Sequence, residues 1–96
     1  MNVLRDSYKL KGTTRQGHVI ASRLQLERVF GKPSFTASDP LSDSTVEWWI
    51  EFEDGSVATI YDHNRRAEKW DEAEEIRWEV GGDKWVTLKV REFLNN

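Results

Sequence analysis

The sequence predicts an α+β domain, and three observations carry that prediction. Two alternating apolar runs flank Asp54-Gly55, a capped helical stripe precedes them, and a third alternating run follows. The expected architecture is a small antiparallel sheet packed with two helices. The sheet is a hairpin over about 46–62 extended by a strand over about 76–80; the helices are a short one over about 22–30 and a C-terminal one over about 84–94. With 96 residues the whole chain, 1–96, reads as a single domain. A chain of this length buries roughly 60–65% of the surface it exposes when unfolded.

Upstream, Tyr8 to Lys11 and His18 to Ile20 are short segments broken by Gly12 and Gly17, and either reads as an edge strand. Ser22-Arg23-Leu24-Gln25 has capping-box spacing: a hydroxyl caps the first amides, and a glutamine three residues later reaches back. Leu26, Val29 and Phe30 then share one helical face, and Gly31 followed by Pro33 ends the helix. Lys32 to Thr45 is rich in Pro, Ser, Thr and Asp and reads as a surface connection.

Val46, Trp48, Ile50 and Phe52 alternate with Glu47, Trp49, Glu51 and Glu53, the period of a strand with one buried face. The turn decides the register. A three-residue Glu53-Asp54-Gly55 loop, with Gly55 left-handed in a bulge, sets Ile50 opposite Ala58 and Trp48 opposite Ile60. It separates apolar from polar positions better than a two-residue loop does. Ile76, Trp78 and Val80 form the third alternating run, which ends at Gly81-Gly82. In the tail, Val86, Val90, Phe93 and Leu94 make a helical stripe with Asp83 as N-cap; the competing reading is a fourth strand through Val86, Leu88 and Val90. The expected core is Trp48, Ile50, Phe52, Ile60 and Trp78, with Leu26 and Phe30 packed on it.

Composition excludes several functions. Cysteine is absent, which removes disulfides, thiolate metal sites and thiol nucleophiles. A net charge of −3 is too small for general nucleic-acid affinity or whole-molecule DNA mimicry, so direct nucleic-acid binding is not expected. No run approaches the roughly 20 apolar residues of a membrane span, and the N-terminus lacks a signal core, so a cytoplasmic protein is expected. Two histidines 45 residues apart make no metal motif, and no Walker loop or dinucleotide fingerprint occurs, so neither metal nor cofactor is expected.

Three segments are candidate binding sites. On the outer hairpin face, Trp49 and Tyr61 are framed by Glu47 and Glu51, the makeup of a protein-binding hot spot; a second core layer or a homodimer interface are the competing uses of that face. Trp70 with Asp71, Glu72, Glu74 and Glu75 concentrates negative charge around an aromatic anchor, suited to a basic groove on a partner; the competing reading is a solvated connection. His63, Arg65 and Arg66 gather cationic groups after a strand end, where they suit a phosphate.

These elements, in this order, resemble a family of small bacteriophage proteins. The matching pieces are LERVFGKP at Leu26 to Pro33, the hairpin from Glu47 to Asp62 with its DGSVATIYD segment, WEVGG at Trp78 to Gly82, and the terminal FLNN. The resemblance covers about the last three quarters of the chain. Two positions depart from the pattern: His63-Asn64 stand in place of an aromatic and a lysine, and Glu79 in place of a common histidine. The resemblance implies phage origin and action in the cytoplasm of a bacterial host. It makes the leading expectation a non-enzymatic inhibitor of a host protein, a defence component such as a CRISPR effector, bound through Trp49, Tyr61, Trp70 and the acidic run. The alternatives are a sponge for a nucleotide immune signal, held by His63, Arg65 and Arg66, and a small virion or assembly protein.

Overall fold

A computed structural model of the chain describes residues 1–37, 43–63 and 71–95. In chain order the elements are β1 (Asn2–Val3), a 3-10 turn at Tyr8–Leu10, β2 (Thr14–Ser22), α1 (Arg23–Phe30), β3 (Phe35–Thr36), β4 (Val46–Glu51), β5 (Val57–Tyr61), β6 (Glu75–Gly82) and α2 (Val86–Asn95). The strands form one antiparallel sheet in the order β1-β4-β5-β6-β2, with β3 also paired to β4. Both helices pack against this sheet, which makes the chain an α+β domain.

The hairpin takes the three-residue loop. Trp48 pairs with Ile60 and Ile50 with Ala58. Phe52 N–H donates to Ser56 O at 2.8 Å, and Gly55 turns the chain at φ +88°. Val46, Trp48, Ile50, Phe52, Ala58 and Ile60 therefore share the buried face with Trp78 and Val80 of β6 and Val19 and Ala21 of β2. Trp48 and Trp78 meet edge to face at 5.4 Å. Their buried indole N–H groups are each satisfied by a carbonyl, Trp48 by Gly31 and Trp78 by Ala21, both at 2.9 Å.

Ser22 caps α1 as expected, its Oγ accepting from Gln25 N–H at 3.0 Å. Gln25 does not complete the capping box: its amide reaches across to Leu94 O at 3.2 Å and ties α1 to the end of α2. Leu26 and Phe30, one turn apart, are buried against the sheet. The C-terminal segment is a helix rather than a fourth strand, beginning two residues later than the spacing suggests. Asp83 is not its side-chain cap. The carboxylate instead accepts from Val57 N–H at 2.9 Å, while Asp83 N–H donates to Val57 O at 3.0 Å, so Asp83 extends the β5–β6 pairing by one residue.

Three strand expectations also change. The third hairpin-side strand runs over Glu75–Gly82, because Gly81 and Gly82 stay in the ladder opposite Thr59 and Ala58. Gly82 must be glycine: its φ is +128°, and a Cβ there would lie 2.2 Å from Val57 O. Tyr8–Leu10 is a 3-10 turn and not a strand, whereas His18–Ile20 is the middle of the nine-residue β2. A register shift between Arg15 and Gly17 breaks the alternation of β2. Within the connection after α1, Phe35–Thr36 pairs with the start of β4.

Candidate functional site

The sheet face opposite the helices carries, row by row, Glu47–Tyr61–Glu79–His18 and Trp49–Thr59–Gly81. The N-terminal segment partly closes it. The 3-10 turn packs on β5, and Leu4 N–H donates to Trp49 O at 2.7 Å. Lys9 pairs with Glu51 at 2.7 Å across this turn. The described residues leave a cleft of about 460 Å³ whose walls include Trp49, Tyr61, Glu47, Asp43, Arg15 and His63.

Trp49 and Tyr61 are diagonal neighbours on this face, within reach of one shared ligand group. Trp49 is half-buried and fixed on three sides: its ring stacks on Phe35 at 6.2 Å, its Nε1–H donates to Glu47 Oε1 at 2.8 Å, and its backbone N–H donates to Ser34 Oγ at 2.9 Å. Glu47 also accepts from the Ser44 hydroxyl, so its carboxylate is held in place. Tyr61 meets His63 edge to face at 6.2 Å. Burial, and then the charge of Glu79, push the Tyr61 hydroxyl above its ordinary pKa.

Glu79, noted in the sequence only as a departure from the phage pattern, is the charged centre of this face. It accepts from Arg77 Nε at 2.8 Å on its own strand and from Arg15 Nε at 2.7 Å on β2. The Arg77 hydrogen bond foremost, with Arg15 adding to it against the opposing effect of burial, lowers its pKa to about 2. Arg77 and Glu79 stand two apart on one strand, so they share a face, and that much was legible; the Arg15 contact needed the β2–β6 register.

The other site residues fall into separate places. Asp71, Glu72 and Glu74 are exposed in the turn before β6, and Glu75 opens that strand opposite Ser22. Gly81, in the Trp49 row, lies six residues further along β6, about 20 Å at 3.3 Å per residue. The acidic turn and the aromatic cleft are thus two surfaces. Glu51 is neutralised by Lys9, so of the two framing carboxylates Glu47 is the one that lines the cleft. Asp62, just before His63, is fully buried and accepts from the backbone N–H groups of Thr45 and Val46 at 2.7 and 3.2 Å, and from the Thr45 hydroxyl, which fixes the entry to β4. His63 is exposed at the cleft wall; Arg65, Arg66 and Trp70 lie outside the described residues.

Among the described residues no group of three His, Asp or Glu side chains is placed to hold a metal, and no helix is long and apolar enough to cross a membrane. Comparison with protein-family models, curated proteins and solved structures finds no match to the chain.

Proposed function

We propose that the protein is a non-enzymatic binding protein whose outer sheet face seats a cationic side chain of a partner protein between Trp49 and Tyr61. The observation that carries this reading is the pairing of a rigid tryptophan with a fixed carboxylate: Glu47 is bonded to Trp49 Nε1 and to Ser44, and both line the cleft. An aromatic face beside a held carboxylate attracts a guanidinium or ammonium group twice, through the ring quadrupole and through charge. Asp43 adds a second carboxylate to the wall, while the one arginine among the described lining residues, Arg15, is engaged by Glu79. The described wall of the cleft is therefore biased toward cations.

The resemblance to small phage proteins suggests what the partner is: a host protein in the bacterial cytoplasm, a defence component whose nucleic-acid-binding surface is basic. The acidic turn at Asp71 to Glu75 would extend the same electrostatic match over a separate part of that surface. The nucleotide-sponge reading draws on Arg65 and Arg66; the charge of the described cleft wall favours the protein-binding reading over it.

The test is affinity capture from bacterial lysate with the tagged chain and with Trp49→Ala, analysing eluates for proteins and for small molecules. The reading expects a stoichiometric basic protein, released by salt and lost with the variant, whose native fold is checked by circular dichroism. A nucleotide co-eluting without any protein would overturn it.

A further inference from the structure

A second surface, remote from the cleft, has the features of a strand-docking site. β2 ends the sheet, with β6 on one side and no described strand on the other. Its outer edge turns hydrogen-bonding groups away from β6: Arg91 Nη2 donates to His18 O at 2.9 Å, so that carbonyl points outward. Ile20, two residues on, turns its N–H and C=O the same way, and its side chain is exposed. Natural sheets usually blunt such an edge, because it templates pairing with another chain.

Beside this edge, between the β2 bulge and the start of α2, lies a pocket of about 510 Å³ lined by Gln16, Gly17, Lys84, Trp85, Leu88 and Arg91, with Thr87 at its base. Trp85 is 73% exposed and sits at φ +71°, a left-handed conformation that is strained for a bulky side chain. Packing within the chain does not explain holding a tryptophan there. Leu88, one turn into the helix, is exposed alongside it. The charged residues lining the pocket are both cations, Lys84 and Arg91; neighbouring Asp83 is turned away onto Val57 N–H.

We propose that the open edge of β2 and this pocket take an extended, acidic peptide segment of a partner protein as an added strand, with one apolar side chain seated against Trp85 and Leu88. The incoming backbone N–H replaces the Arg91 guanidinium on His18 O, and the freed guanidinium, with Lys84, meets carboxylates of the segment. Main-chain pairing supplies the docking, and the apolar anchor with its acidic flanks supplies the selectivity. A second copy of this chain is the poorer occupant. Two-fold pairing of β2 with itself would set Arg91 and Lys84 close to their own counterparts.

The experiment selects binders to the full chain from a displayed library of random peptides about ten residues long, which span about 33 Å when extended. Ile20→Pro removes the outward N–H without touching a β6 hydrogen bond, and Ile20→Thr keeps it. The proposal expects selected sequences enriched in Asp and Glu around an aliphatic or aromatic residue. It expects slowed hydrogen exchange at the Ile20 amide on binding, and affinity that falls at least about tenfold in Trp85→Ala and in Ile20→Pro but not in Ile20→Thr. Should Ile20→Pro fail to fold, exchange at the wild-type Ile20 amide decides the matter. Basic peptides that Trp85→Ala does not weaken belong to the Trp49 cleft. Among peptides that Trp85→Ala does weaken, a basic or neutral consensus or binding without protection of Ile20 would overturn the proposal, as would the absence of any such peptide or a dilution-dependent dimer that itself protects Ile20.

Discussion

Replacing Glu79 with glutamine keeps the shape of the side chain and removes the charge that joins Arg77 and Arg15. In the folded chain the carboxyl pKa falls from an ordinary 4.5 to about 2, chiefly through the Arg77 hydrogen bond. At 1.36 kcal/mol per pH unit, that difference caps the contribution of the charge at about 3 kcal/mol. The guanidinium side chains are 40% and 48% exposed, so solvent screening brings the expected loss in Glu79→Gln to about 1–2 kcal/mol. Because the folded pKa is depressed, the stabilisation is fully present above the unfolded value of about 4.5 and is lost as pH falls through about 2. Urea unfolding of both chains, followed by tryptophan fluorescence, should show the wild type more stable at pH 7 by that amount. The gap should close steadily below pH 4.5, since the acid form of Glu79 has no more charge than glutamine. An equal gap at pH 7 and near pH 2.5, or no gap at pH 7, would refute the assignment.

Two further substitutions test the packing. Gly82→Ala places a Cβ against Val57 O from a backbone at φ +128°, and should cost at least about 3 kcal/mol or prevent folding, read from the thermal melt by circular dichroism. Thr87→Val should be neutral or stabilising by up to about 1 kcal/mol in urea unfolding, because Thr87 is 8% exposed and its buried Oγ1 has no hydrogen-bond partner to lose.

The hairpin was legible because one local feature, Asp54-Gly55 between two alternating runs, determines a register that every other residue of the pair then obeys. The same holds for α1, whose cap, stripe and stop all lie within ten residues of sequence. β2 was only glimpsed, since its inward residues Gly17, Val19 and Ala21 are small, its outward ones are mixed, and the shift after Arg15 interrupts the period. β1 and β3 are two residues each and exist by pairing with β4, a cause invisible in local pattern. In the candidate site, Trp49 and Tyr61 were found from alternation alone. The partners that define their surroundings were not: Lys9 meets Glu51 across 42 residues and Arg15 meets Glu79 across 64. Such contacts follow from topology, which the N-terminal segment gave little means to foresee.

The proposed function requires the cleft beside Trp49 to prefer a cation. Its most direct test is titration of the isotope-labelled chain with arginine amide and, separately, with adenosine monophosphate, following the Trp49 indole N–H by NMR. A cation-preferring cleft gives a saturable shift with arginine amide, in the millimolar range for so small a probe and weakened about threefold or more in Glu47→Gln. A shift with the nucleotide and none with arginine amide would contradict it.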